Sequence, residues 1–402
     1  MTSLDVAVER RIGLGGTLGF VLVAINLRIA IASVSPLLDQ IRHDGHLSSG
    51  VAGLLTTVPV VCFGLFAFVA PRLSRRFGRH RLLGAAMAVL AGGIVLRLVP
   101  GVPMLFAGTL LAGAAIAVSN VLMPALVKRD FADRTGPMMG VYTMALSIGA
   151  AAAAGLTVPL RDALGLGWRP TLALWAIVAV AAAVAWAPQA GRHTAGDGAD
   201  DPTGPSLGRL FRDPVAWAVT VFMGVQSLEY YSALAWLPTL LHDKGMSNGE
   251  AGWMLSYASF VSIVLSLATP AIDRRLGHGW LTPVLDTVAV AIGVAGLLAD
   301  PVHLAYLWMT LLGIGWGSLI TLALGYVVAR SPDVHHTSQL STMAQGVGYL
   351  FASIGPFGLG LLHSAGGWTL PLVVLLVLLV VQLVAGALAS RHRHVLSAGR
   401  AL

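Results

Sequence analysis

Two charged residues interrupt long apolar runs, and a charge so placed either does chemistry or finds a partner. Arg28 stands in Val23-Ala24-Ile25-Asn26-Leu27-Arg28-Ile29-Ala30-Ile31, and Glu229 in Gln226-Ser227-Leu228-Glu229-Tyr230-Tyr231. An Arg at the centre of a bilayer helix costs about 2.5–3.5 kcal/mol on insertion scales, so it is retained facing a cavity, a counter-charge or backbone carbonyls. Its planar, permanently charged fork suits a carboxylate, a cyanate-like anion or a nitro group. Glu229 can carry a proton or neutralise Arg28. We expect both to face one site, with Glu229 as the proton-coupling candidate or as the counter-ion of Arg28.

The rest of the expected substrate-binding set is amide or aromatic. Asn26, Asn120, Gln226 and Gln345 each donate and accept, while Tyr230, Tyr231, Trp236 and Trp316 offer flat walls. Trp253 and Tyr142 are further lining candidates. Amides equally tie helices together, and aromatic rings equally pack or belt the interface. Arg97 lies near a span end, where it can snorkel; Asp286 and Asp300 lie near opposite ends of another span and are expected to be solvated. None of the 12 His falls mid-span, and His335-His336 reads as a solvated pair, so no metal site is expected.

The elements that must position these residues follow from composition. Of 402 residues 56% are hydrophobic and only 11% charged, against about 25% charged in soluble domains. That is too little charge to coat a globular surface. A bilayer helix needs roughly 20 apolar residues, and twelve such runs are legible. They lie at about 13–38, 50–70, 82–100, 103–126, 137–159, 170–188, 214–240, 250–270, 281–299, 303–329, 338–362 and 369–389. None alternates as a barrel strand does, so helices are expected. The first run is not read as a cleaved leader, because Arg28, Asp5 and Glu9 spoil that pattern.

Most of the 25 Lys and Arg fall on one set of loops, including Arg72, Arg75, Arg76, Lys128, Arg274, Arg275 and Arg330. Arg42, Arg161, Arg169 and Lys244 fall on the other. The positive-inside rule then puts both termini in the cytoplasm. It also accounts for the net charge of +7 without any nucleic-acid partner. The single cysteine, Cys62, offers no disulfide. A Gly/Asp/Pro-rich stretch after Gln189 reads as a linker, dividing the chain into 1–190, a cytoplasmic linker 191–213, and 214–402.

The two halves repeat at an offset of 199 residues. Pro71 falls on Pro270, and Arg75-Arg76-Phe77-Gly78 on Arg274-Arg275-Leu276-Gly277. Ser48 and Ser247 also coincide, each placed to cap a helix. Six spans per half keep one orientation, which predicts a parallel pseudo-two-fold with the site between the halves. Gly346, Gly348, Gly355-Pro356 and Gly149 mark places where helices approach closely or bend.

Two six-span halves, a middle linker and a basic loop after spans two and eight resemble the major facilitator superfamily. The loop of that family reads roughly Gly-x-x-x-Asp-Arg-x-Gly-Arg-Arg. Here Arg75 stands where its Asp belongs, while the second copy keeps Asp273 one position early. Arg75, Arg76, Gly78, Asp273, Arg274, Arg275 and Gly277 are the expected conformational motif on the inner loops. Asn26-Leu27-Arg28, Ser35-Pro36-Leu37-Leu38, Gly53-Leu54-Leu55-Thr56-Thr57-Val58-Pro59, Asn120-Val121-Leu122-Met123-Pro124, Lys128-Arg129-Asp130-Phe131 and Ala235-Trp236-Leu237-Pro238 resemble the cyanate and 2-nitroimidazole transporter branch. The resemblance implies an all-α fold of twelve transmembrane helices in two bundles. It also implies a proton-coupled secondary transporter of a small polar or anionic solute in the cytoplasmic membrane.

Other functions lack their motifs. There is no His-Glu-x-x-His or Ser/His/Asp cluster for an enzyme, and no phosphate-binding Gly-Lys-Ser/Thr loop for an ATP-driven pump. No cofactor is expected; the expected partners are a small-molecule substrate and the lipid bilayer, with a monomer as the working unit. A drug/proton antiporter for hydrophobic compounds is the alternative, followed by a non-transporting solute sensor. A central Arg argues against a cationic drug.

Overall fold

Chain segments that leave water must pair every backbone N–H and C=O internally, and the helices here run accordingly. The computed structural model describes residues 14–47, 49–191, 207–277 and 279–396. Ser48 and most of the linker, 192–206, lie outside the described residues. Every regular element among the described residues is helical. In chain order the long helices are α1 (Leu14–Ala32), α2 (Ser49–Ala67, continued by Ala70–Phe77), α3 (Arg79–Leu96), α4 (Val102–Asp130), α5 (Thr135–Leu164) and α6 (Trp168–Leu174 with Ala176–Ala190). The second half has α7 (Pro214–Asp243), α8 (Asn248–Leu276), α9 (Leu281–Ala299), α10 (Ala305–Ala329), α11 (Val334–Ala352 with Ile354–Gly366) and α12 (Thr369–Ala389).

Ten of these spans are long and apolar enough to cross a membrane, and the bent α2 makes eleven. The twelfth is α7, whose middle carries the polar run Gln226-Ser227 and Glu229 through Ser232. The spans read from sequence are recovered, with α9 and α12 at the same ends. Several helices run further, so that Lys128, Arg129 and Asp130 form the last turn of α4 rather than a loop. The motif residues Arg75, Arg76, Asp273, Arg274 and Arg275 are likewise in final helical turns.

Helix starts follow local chemistry. The Asp213 carboxylate accepts from Val215 and Ala216 N–H at 2.7 and 3.0 Å, with Pro214 at the first helical position of α7. Its other oxygen accepts the Leu396 N–H at 2.6 Å, while Val395 N–H reaches the Arg330 carbonyl. The tail is thus stitched to the starts and ends of the second half. Ser247 caps α8 in a full capping box with Glu250, a device worth about 1 kcal/mol.

Helix pairings show the repeat. Within the first half α1 packs on α5 and α6, α2 on α4, and α3 on α4 and α6. Within the second, α7 packs on α11 and α12, α8 on α10, and α9 on α10 and α12. Each pairing recurs six helices later. Between halves, α5 packs on α8 and α2 on α11. At Gly348 of α11 a Cβ would stand 3.3 Å from the Gly224 Cα of α7, so the two helices cross with backbones nearly touching.

The repeat is broken at one matched pair. The first stretch of α2 ends at Ala67, four residues before Pro71, and the chain turns by 58° into Ala70–Phe77, whose second residue is Pro71. A proline ring denies an N–H to the carbonyl four residues earlier and crowds it. Pro270 does the same to Ser266, yet α8 continues. There the freed Ser266 carbonyl accepts the Thr321 hydroxyl of α10 at 3.3 Å. Gly78 and Gly277 restore the correspondence, both with positive φ, +80° and +66°, at the helix ends.

Candidate functional site

Arg28 of α1 points to the seam between the halves. It donates from Nη1 to the Tyr231 hydroxyl of α7 at 2.6 Å. Its guanidinium carbon stands 5.8 Å from the ring centres of both Tyr231 and Phe63. Among the described residues no carboxylate lies within ion-pair distance of it. The Tyr349 hydroxyl also faces the guanidinium, and a five-donor fork held by these two hydroxyls keeps donors for a ligand.

A cavity of about 50 Å³ opens beside Arg28. The first half contributes Thr143, Leu146, Ser147 and Ala150 from α5; the second contributes Gln226, Ser227, Tyr230 and Tyr231 from α7, Ser259 and Ser262 from α8, and Trp316 from α10. Tyr230 meets Tyr231 and Trp316 edge to face, with centroids 5.3 and 5.5 Å apart. One cation, an amide, several hydroxyls and flat aromatic walls make a site for a small planar acceptor. Water needs roughly 10–15 Å³ of such volume per molecule, so in this conformation the chamber suits a ligand of a few heavy atoms.

The basic end of the molecule is tied shut below this chamber. Thr143 and Thr321 share a hydrogen bond of 2.7 Å across the halves. Gln345 donates to the Asn120 carbonyl at 2.9 Å, and Ser341 to the Val121 carbonyl at 3.1 Å. Lys128 at the end of α4 donates to the Val328 and Ser331 carbonyls at the end of α10. An ammonium on the orphan carbonyls of a helix C-terminus is favoured by hydrogen bonding and by the helix dipole.

The expected site residues divide. Arg28, Gln226, Tyr230, Tyr231 and Trp316 line the chamber. Asn26 does not: its Nδ2 bonds the Leu22 and Val178 carbonyls at 2.8 and 3.0 Å, tying α1 to α6. Asn120 and Gln345 belong to the seam beneath, where Tyr142 donates to Asn120 Oδ1 at 3.2 Å. Trp236 is turned to α11, donating to the Pro356 carbonyl at 2.6 Å, and lines a separate cavity. Trp253 is 57% exposed and reaches Tyr306.

Glu229 does not pair with Arg28. Its Oε1 accepts the Trp316 indole N–H at 3.3 Å, and its Oε2 has no partner among the described residues. Ser227, two positions earlier, faces the chamber instead, as a 200° rotation per two helical residues requires. Glu229 therefore stands behind Trp316, on the wall of the second cavity.

Other expectations need correction. Arg97 does not snorkel: it is 1% exposed and donates to the Ala30 carbonyl at 2.8 Å, two residues along from Arg28. Asp286 is not solvated but buried, accepting the Ser318 hydroxyl at 2.5 Å. Asp300 is exposed and caps the following turn through His303 N–H. His336 pairs with Asp333 at 2.7 Å. His80 is buried against Asp130 at 3.0 Å and stacked on Trp186. No cluster of three or more metal-ligating side chains occurs among the described residues. Phe63, Tyr349, Thr143, Ser259 and Ser262 were absent from the expected set; Tyr349 packs between Phe63 and Tyr231 at 5.3 and 6.3 Å.

Two six-helix bundles related by an in-sequence repeat, enclosing one polar chamber at their seam, define a polytopic membrane protein of the two-bundle porter class. The chain belongs to the Major Facilitator Superfamily, whose model matches residues 17–356. It is 38% identical over 380 residues to the transporter YycB of Bacillus subtilis (strain 168), covering 94% of each chain. It is 34% identical over 382 residues to the 2-nitroimidazole transporter of Escherichia coli (strain K12), covering 94% of this chain and 95% of that one. The cyanate transport protein CynX of the same strain is 31% identical over 348 residues, 86% and 89% of the two chains. The solved structure of the proton:xylose symporter XylE bound to 6-bromo-6-deoxy-D-glucose superposes with a TM-score of 0.69 over 92% of this chain and 94% of that one. At 13% identity it shares the fold.

Proposed function

We propose that the chain carries a small polar or anionic solute, of the cyanate, nitroimidazole or small-carboxylate kind, across the cytoplasmic membrane by alternating access. The observation that carries this reading is Arg28: a cation at the seam of the halves, held by a neutral hydroxyl and without a carboxylate partner among the described residues. A guanidinium pre-paired with Glu229 would have to be released before it met an anion. One held by Tyr231 keeps both its charge and its orientation for the ligand. The aromatic walls add a flat slot for a nitro-substituted ring.

Several features support the rest of the cycle. The one-sided basic loops support a reading with both termini cytoplasmic, in which the closed end is the cytoplasmic one and the inner gate is shut. Opening that gate requires Lys128, Gln345, Ser341 and Thr143 to leave their cross-half partners while the helices of each half move together. Glu229 carries the coupling proton, and Trp316 links it to the chamber. The monomer suffices, because one chain supplies both walls of the site.

The test is uptake into proteoliposomes of cyanate and of 2-nitroimidazole, with and without a pH gradient. Arg28→Ala should abolish transport of whichever is carried, and Glu229→Gln should remove the dependence on the gradient. Full transport by Arg28→Ala refutes the site assignment.

A further inference from the structure

Glu229 and Ser232 turn away from the Arg28 chamber into the second cavity, inside the second half between α7, α9, α10, α11 and α12. It measures about 40 Å³ and is walled by leucines, among them Leu237, Leu240 and Leu312. Two polar atoms on its wall have no hydrogen-bond partner among the described residues, Glu229 Oε2 and Ser232 Oγ, on residues only 3% and 2% exposed. Buried polar atoms left unpaired are costly, and here both sit at the inner end of one cavity.

Its other end lies toward the end of α7 remote from the basic loops. There Trp236 meets Trp368 at 6.0 Å, and His363 stacks on Trp368 at 3.9 Å. Asp243 accepts the Trp368 indole N–H at 2.9 Å and stands 4.0 Å from His363 Nε2. The Asp243 and His363 side chains are 40% and 30% exposed. A titratable pair thus stands behind Trp368, beside the rim, and a lone carboxylate at the base. Among the described lining residues Glu229 is the only ionisable one, with none from α9, α10 or α12. Arg28 lies across the partition formed by Tyr230 and Trp316.

We propose that this second cavity is the port through which Glu229 exchanges its proton with the outer face, separate from the chamber that admits the solute. The proposal rests on Glu229 as the proton carrier. At about 10–15 Å³ per molecule the cavity has room for roughly three waters, and the two unpaired oxygens offer the innermost its partners. A proton collected at Asp243 and His363 passes along them to Glu229 Oε2. One O–H bond forms there as one breaks in the donating hydronium, and no other bond changes. Solute and proton then enter by different doors and communicate only through Trp316, whose ring walls the chamber while its N–H holds Oε1.

The test uses the full chain with its one cysteine removed, Cys62→Ala, carrying either Ser232→Cys or Ser227→Cys. Intact cells are treated with 2-aminoethyl methanethiosulfonate. Both variants should be labelled. Filling the second cavity with Leu240→Trp, or more gently with Leu312→Phe, should slow S232C labelling roughly tenfold or more and leave S227C unchanged. Ala150→Trp, in the chamber wall, should do the reverse. Unaltered S227C labelling in the filled variants reports that they are folded. An unreactive S232C, or one slowed by Ala150→Trp and not by Leu240→Trp, overturns the port. Loss of pH dependence in Glu229→Gln beside an unreactive S232C would discard the route and retain the carrier, so the two ideas fail separately.

Discussion

Tyr231→Phe tests how Arg28 is held. The substitution deletes one hydroxyl and keeps the ring, so the 5.8 Å stacking of the guanidinium on both aromatic faces survives. What is lost is a 2.6 Å hydrogen bond with a charged donor, worth about 1.5–3 kcal/mol. At 1.4 kcal/mol per decade that is roughly 10- to 150-fold in binding, with the lower end expected because the ring contacts remain. The assay is equilibrium binding and uptake of cyanate or 2-nitroimidazole by Tyr231→Phe, Arg28→Ala and the double variant. KM should rise about tenfold in Tyr231→Phe with little change in maximal rate, since the charge stays but its direction is loosened. In the double variant the Tyr231→Phe effect should vanish, because there is no guanidinium left to orient. Additive losses would refute the argument, showing that Tyr231 acts on the ligand independently of Arg28.

Three further outcomes follow from other parts of the molecule. Lys128→Met should loosen the basic end, raising the reactivity of a cysteine placed at Ser341 by roughly tenfold, the factor that loss of a charged hydrogen bond of ~1.4 kcal/mol or more allows. Ser247→Ala should lower stability by about 1 kcal/mol without altering transport kinetics, read by a thermal melt beside uptake. Burial works against ionisation of Asp333, but the His336 N–H at 2.8 Å and the His336 ring outweigh it, so its carboxyl lies below the usual carboxylate value. A carboxyl lowered on folding stabilises above its unfolded value and loses that contribution as pH falls through the folded one. The start of α11 should therefore fray in acid below the ordinary carboxylate range, seen as faster amide exchange at Thr337, and Asp333→Ala should fray it at every pH.

The helical spans and the recurring helix pairings were legible because they are written in repeated, local signals. An apolar run is local, and the 199-residue offset compares two short local stretches. Arg28 was legible for the same reason, since a charge inside an apolar run is conspicuous wherever it points. Direction was not. Glu229 and Ser227 share one helix, and only rotation decides that the serine meets the chamber while the carboxylate faces the leucines. Partners distant in sequence were equally hidden: Asp286 is buried on a serine 32 residues away. Asn26 spends its amide on a carbonyl 152 residues away. Tyr349 escaped notice because a tyrosine in a helix carries no local mark of facing a guanidinium from another bundle.

The one broken correspondence between the halves has a mechanical meaning. Pro71 and Pro270 impose the same defect on two related helices, and only the second is splinted, by Thr321 of a neighbour. The splint belongs to a residue that also clasps Thr143 across the seam. Parting the halves at Thr321 would leave that hydroxyl shared between the Ser266 carbonyl at 3.3 Å and the Gly317 carbonyl of its own helix at 2.7 Å. Under load the molecule is therefore a pair of unlike levers: one with a permanent elbow, the other a straight arm braced by the same hydroxyl that latches the gate.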